Sequence, residues 1–100
     1  MAERTITWAR NASIELRSIL EFYAERNQST TYSQWLLREM NYRASLIAHF
    51  PKIGRVTDRK DIRIFPFQHY GILYKFSESK IHILSVWDFR RNPDDRIDKR

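Results

Sequence analysis

Residues 61–93, DIRIFPFQHYGILYKFSESKIHILSVWDFRRNP, decide the fold. Ile62 and Ile64 alternate with Arg63 and Phe65. Tyr70, Ile72, Tyr74 and Phe76 alternate with Gly71, Leu73 and Lys75. Ile81, Ile83 and Trp87 alternate with His82, Leu84, Val86 and Asp88. Period-two alternation rich in Ile, Phe and Tyr is the pattern of half-buried strands. Gln68-His69 can turn the first strand into the second, and Ser77-Glu78-Ser79-Lys80 the second into the third. The stretch therefore predicts strands over about 61–67, 70–76 and 80–88, joined as an antiparallel meander. One face should be apolar and the other should carry Arg63, Lys75, His82 and Asp88. A basic cluster closes the last strand.

Upstream, Thr5-Ile6-Thr7-Trp8 reads as a short strand. Asn11 can cap a helix, because its side-chain oxygen accepts a free N–H of the first turn. Ala12, Leu16, Ile19, Leu20 and Tyr23 then recur at helical spacing over about 11–27. The polar run Asn27-Gln28-Ser29-Thr30 breaks that helix. A second helix, about 31–50, carries a stripe of Tyr32, Leu36, Met40, Ala44 and Ile47. Pro51 disfavours helical geometry at Phe50 and ends it. A short polar connection makes the two helices an antiparallel hairpin, whose stripes need the sheet's apolar face. Residues 52–60 read as a basic loop. Residues 94–100, with Ile97 as their one apolar side chain, form a charged tail expected to fray. The whole predicts an α+β domain over 1–93, ordered β-α-α-β-β-β, with two helices packed on one curved sheet.

One hundred residues suit a single domain, and 42% hydrophobic residues suffice for one core. Without cysteine, no disulfide or thiolate chemistry is available, which fits a reducing cytoplasm. No apolar run follows the first five residues, so no signal peptide is expected. No stretch approaches the ~20 apolar residues of a membrane span. The net charge of +6 sits mainly in residues 51–100, with twelve basic and seven acidic side chains, against six and five in residues 1–50. Such a half suits an acidic or phosphate-bearing partner, or a solvated basic surface.

His49, His69 and His82 stand far apart, without ligand spacing for a metal. Gly54 and Gly71 are the only glycines, so no phosphate-cradling loop exists. Nor does any Ser-His-Asp signature stand out, and no cofactor is expected. Two clusters remain. Arg63, His69 and Tyr70 lie on and just beyond the first meander strand. Trp87-Asp88-Phe89-Arg90-Arg91-Asn92 ends the last one. Cleaving RNA through its own 2′-OH needs a base near that hydroxyl, cations for the phosphorane and an acid for the leaving oxygen. Arg63, Arg90 and Arg91 could be the cations, and His69 the base or acid. Salt bridges from Arg90-Arg91 to Asp88 or Asp94 are the structural alternative. Tyr70 and Tyr74, in phase with Ile72, read as core.

Element order and motifs together resemble the RelE/ParE toxins of type II toxin–antitoxin modules. The resemblance is carried by FPKIGR (50–55), IRIFPFQHYGILYKF (62–76) and IHILSVWDFRRNP (81–93), and the last two look most like the ParE branch. It implies two helices on one curved sheet and a cognate antitoxin whose C-terminal segment wraps and blocks the domain. Oligomerisation through that antitoxin is compatible with it. It implies one of two targets: DNA gyrase for the ParE branch, or mRNA in the ribosomal A site for the RelE branch. The ribonucleases tend to place an arginine after the tyrosine that opens the middle strand, where this chain has Gly71 after Tyr70. They also tend to place a Tyr or His past the last strand, where this chain has Phe89-Arg90-Arg91-Asn92. Their strand lysines find only Arg63 as a counterpart.

These departures favour the ParE reading: a cytoplasmic gyrase inhibitor with no catalytic residue, Arg63, Trp87, Asp88, Arg90 and Arg91 meeting the target, and Trp35, beside the main stripe of its helix, meeting the antitoxin. An aromatic flanked by arginines is a common binding hot spot, and Asp88 should stay ionised beside them. Under the ribonuclease alternative Arg63, His69, Arg90 and Arg91 would be catalytic. A non-toxic binding module is the third reading.

Overall fold

The computed structural model describes residues 4–99. Residues 1–3, read above for a signal peptide, and residue 100, the end of the tail, lie outside the described residues. The elements are β1 (Thr5–Trp8), α1 (Arg10–Asn27), α2 (Thr31–His49), β2 (Arg55–Val56), β3 (Arg63–Phe67), β4 (Tyr70–Phe76) and β5 (Lys80–Asp88). Two 3-10 turns follow, Pro93–Asp95 and Ile97–Lys99. The sheet runs β1-β5-β4-β3-β2, with β1 parallel to β5 and every other pair antiparallel. The α+β order and the helical hairpin on one sheet are as the patterning predicts. β2, inside the expected loop, was not foreseen.

α1 does not use Asn11 as its cap. Ala9 occupies that position without a side-chain hydrogen bond, and the Asn11 amide reaches Glu15 Oε1 at 3.4 Å. The Ala9 N–H instead donates to Ile83 O at 2.8 Å, so the chain is still tied to β5 as the helix begins. At the other end Gln28 takes a left-handed φ of 50°, and the Ser29 N–H returns to Ala24 O at 3.2 Å, a Schellman closure. α2 stops at His49, one residue before the Phe50-Pro51 pair, as the restriction before proline requires.

The sheet has two apolar faces, not one. Ala12 and Leu16 of α1 and Leu36, Met40, Ala44 and Ile47 of α2 pack on Phe67, Tyr70, Ile72, Tyr74, Ile81, Ile83 and Val86 of the sheet. On the outer face Ile62, Ile64, Leu73 and Trp87 form a second cluster, against which Leu84, Phe89 and Ile97 pack. The split of β5 has one cause. Leu73 stands opposite Ser85 but Tyr74 opposite Ile83, so Leu84 is an extra residue in the ladder. A bulge of this kind reverses the phase of everything beyond it. Val86 therefore joins Ile81 and Ile83 under the helices, and Trp87, expected in phase with them, turns to the outer face.

Through residue 99 the tail is seated on the sheet instead of fraying. Ile97 covers the outer cluster. Asp98 is buried and takes Arg96 Nε at 2.5 Å and Nη2 at 2.9 Å. Lys99 pairs with Asp58 of the β2–β3 connection. The exposed apolar face left by the bulge is what the tail's one apolar side chain serves.

Candidate functional site

The end of β5 gathers most of the expected residues. Tyr70, the first residue of β4, stands opposite Asp88, the last of β5. Just beyond, Arg90 turns back onto Asp88 in a fork: Nε to Oδ1 at 2.9 Å, Nη2 to Oδ2 at 2.8 Å, and its own N–H to Oδ1 at 2.9 Å. Those bonds hold the Asp88 carboxyl below the usual carboxylate range, against the burial that opposes them, with a smaller contribution from His69. Asp88 is thus ionised near neutrality, as its neighbours require. His69 lies in the two-residue turn between β3 and β4, where Gln68 takes a φ of 54°. Its carbonyl accepts the Phe89 N–H at 2.8 Å, which ties the end of β5 to that turn.

Tyr23 of α1 completes this cluster, and sequence reasoning missed it. It was one of five members of an apolar stripe. The only signal was a phenol on the turn that faces the end of the sheet. The Tyr70 hydroxyl donates to the Tyr23 hydroxyl at 3.2 Å. That bond, helped by Arg90, holds the Tyr23 phenol below its ordinary value. Burial, and then the same bond, pushes Tyr70 up. Two phenols with opposed proton affinities thus share one hydrogen bond beside a fixed guanidinium. Together with Ser18, Ile19 and Phe22 they line a pocket of about 250 Å³. An open rim carrying Arg90 beside two phenols suits a carboxylate or phosphate, since the guanidinium cannot lose its charge.

Arg91 follows a different course. Its guanidinium lies 4.6 Å from the centre of the Trp87 ring and 4.0 Å from Glu15 Oε2. Trp87 is only 3% exposed, so Arg91 presents this corner to solvent and Trp87 supports it from within. Glu15, also unanticipated, accepts Ser85 Oγ at 2.9 Å and the Val86 N–H at 3.2 Å. It caps the stretch of β5 that β1, which pairs only as far as Ile83, leaves open.

Arg63 does not belong to this cluster. It stands opposite Tyr74, four residues along β4 from Tyr70, which is about 13 Å at ~3.3 Å per residue. Its Nη1 donates to Gly54 O at 2.7 Å and Lys52 O at 3.3 Å. The structure thus gathers His69, Asp88 and Arg90 and leaves Arg63 at the opposite end.

Trp35 is half-buried at the open side of the hairpin. It continues a row of rings, Phe22–Tyr23–Tyr32–Trp35–Phe67, with centroid spacings from 4.8 to 5.9 Å. Arg43 closes the row 3.6 Å above Phe67. Trp35 and Tyr32 wall a groove of about 620 Å³ with Arg38 at its edge. Among the described residues no three His, Asp or Glu side chains could together hold a metal ion, and no helix is long and apolar enough to cross a membrane.

Comparison with known proteins adds the family. No curated protein matches the sequence. A solved structure described as the chromosomal ParDE TA system from P. aeruginosa contains a chain that superposes with a TM-score of 0.72. The identity is 12%, over 86% of this chain and 96% of that one. At that identity the likeness shows a shared fold. The family model for the ParE toxin of the type II toxin–antitoxin system parDE matches residues 6–93, and since this spans β1 through β5 and the arginines beyond it, the chain belongs to the ParE toxin family of type II toxin–antitoxin systems.

Proposed function

We propose that this toxin acts by binding rather than by cutting, that its target is DNA gyrase, and that a cognate antitoxin neutralises it. The observation that carries the reading is Gly71. Ribonucleases of the related branch tend to place an arginine here, and here a Cβ would stand 2.6 Å from Ile64 Cδ1 and 2.8 Å from Phe89 Cζ. No long cation fits that space. Arg63, the counterpart of that branch's strand lysines, is committed to two backbone carbonyls at the far end of β4. The target surface is then the rim formed by Arg90 and Arg91, with Asp88 and Trp87 holding the two arginines in place. The antitoxin, an acidic segment with an amphipathic helix, fits the Trp35 groove and shields that rim.

Purified toxin incubated with gyrase, ATP and supercoiled plasmid should accumulate cleaved DNA, and an adjacent small gene should supply a protein that relieves it. Toeprinting of a ribosome-bound message tests the second reading, which the placement of the Tyr23 phenol, lowered from its ordinary value, beside Arg90 favours. Codon-phased cuts that vanish in His69→Ala would replace the gyrase assignment. No growth defect on induction without the antitoxin would replace both with a non-toxic module.

A further inference from the structure

Residues 50–56 form a loop fastened from beneath and open above. The turn after α2 is closed by the Ile53 N–H on Phe50 O at 2.9 Å. Below it Tyr74, fully buried on β4, donates its hydroxyl to Pro51 O at 2.7 Å and accepts the Gly54 N–H at 2.9 Å. Arg63 adds its two bonds to the Gly54 and Lys52 carbonyls. Gly54 is required there, since a Cβ would stand 2.7 Å from the Tyr74 hydroxyl oxygen. The sheet therefore holds this backbone rigidly, and Arg63 is a positioning residue for it.

What the loop turns outward is open to solvent, with only the His49 ring beside Phe50, at a centroid distance of 6.2 Å. Phe50 is 62% exposed, and Ile53 and Val56 are also exposed. Lys52, Arg55 and, at the tip of the β2–β3 hairpin, Lys60 are exposed with no carboxylate in ion-pair reach among the described residues. The nearby carboxylates are occupied: Asp61 by Arg59 and Lys75, Asp58 by Lys99. Residues 52–63 carry five basic side chains against two acidic ones.

We propose that this edge of the sheet binds single-stranded nucleic acid, with Lys52, Arg55 and Lys60 taking phosphates and the Phe50 ring stacking on a base. A basic track beside an exposed aromatic ring is the combination that holds single strands without reading sequence. The competing occupant is an acidic protein segment adding a strand to β2. β2 is two residues long, too short a ladder for strand addition, whereas phosphates require only positioned cations. A loop already rigid loses little freedom on binding, which raises affinity. The site stands apart from the choice of toxin target.

Fluorescence anisotropy of the full chain with a labelled mixed-sequence DNA strand of about 12 nucleotides tests this. Binding is expected at ~50 mM salt and should fall steeply by ~200 mM. The triple variant Lys52→Glu, Arg55→Glu, Lys60→Glu should bind at least about tenfold more weakly. Its slope of log affinity against log salt should be smaller by about 2, from three phosphates at ~0.7 each. Phe50→Ala should weaken single-strand binding by about five- to a hundredfold while changing duplex binding little. Should the triple variant fold poorly by circular dichroism, the corresponding glutamine variant takes its place. The proposal is overturned by absence of binding at low salt, or by a folded triple variant that binds like the wild type. It is also overturned by a polyglutamate peptide that competes as well as the oligonucleotide, a result that assigns the edge to an acidic protein.

Discussion

The Cβ that Gly71 lacks would stand 2.8 Å from Cζ of Phe89. Phe89 cannot readily give way, because its N–H is bound to the His69 carbonyl and its ring packs on the outer cluster. Gly71 is buried and pairs with Trp87 across β4 and β5. The site is closed to side chains by packing rather than by backbone conformation. Gly71→Ala should therefore destabilise by about 1–3 kcal/mol, the range for overpacking a filled core. Gly71→Arg should fail to fold rather than gain mRNA cleavage. Urea denaturation of the first variant and soluble yield of the second check both outcomes.

The opposed proton affinities of Tyr23 and Tyr70 should be visible in an alkaline titration. Tyr23 lies below the usual phenol value and Tyr70 above it, so Tyr23 ionises first and Tyr70 late. The signs follow by linkage. A depressed folded value makes Tyr23 contribute stability as pH rises through that value toward ~10, the unfolded phenol value. A raised value makes Tyr70 contribute stability below ~10 that is lost as pH climbs beyond it. Tyr23→Phe should remove the earliest ultraviolet phenolate step and flatten the rising limb of stability. If the earliest step survives in that variant, another tyrosine carries it.

The meander was legible in sequence because alternation in β4 and most of β5 is strict, and the ends of β4 and β5 match the expected ones. What alternation cannot show is an inserted residue. Leu84 looks like an ordinary member of its strand, and only the opposing register reveals that it shifts Trp87 to the other face. The tail was misread for the same reason. One isoleucine among charges signals disorder unless a second apolar face exists for it. Of the site, Asp88 and Arg90 could be joined by proximity in sequence. Tyr23 arrives from a helix more than forty residues away, which no local pattern encodes.

Arg90→Ala with Arg91→Ala should abolish growth arrest while leaving the thermal midpoint nearly unchanged. Both side chains are more than half exposed, and exposed ion pairs contribute little to stability. The single variants should differ in kind. Losing Arg90 frees Asp88 and lifts its carboxyl toward the ordinary range, whereas losing Arg91 uncovers the Trp87 ring and should change its fluorescence. A double variant that remains fully toxic would move the target surface elsewhere.

The buried Arg96–Asp98 pair is what holds the tail on the outer face. The Asp98 side chain is 0% exposed and that of Arg96 14%, so replacing the carboxylate leaves a guanidinium with little water to solvate it. Arg96 holds the Asp98 carboxyl below the usual range, chiefly through its hydrogen bonds. With a depressed folded value, the pair's contribution is present above the unfolded value of ~3.9 and lost as pH falls through the folded one. Asp98→Asn should cost about 1–3 kcal/mol near neutrality. That is less than a fully buried broken pair would cost, because Arg96 keeps some solvent contact. The difference from wild type should begin to shrink below pH ~4, where the unfolded chain's carboxyl takes up its proton, and should close only as pH falls through the depressed folded value. The variant's tail should also become sensitive to limited proteolysis and its Trp87 fluorescence should shift to the red as Ile97 lifts from the cluster. Equal stability of the two proteins at neutral pH, with an unaltered Trp87 spectrum, would mean that Ile97 alone seats the tail.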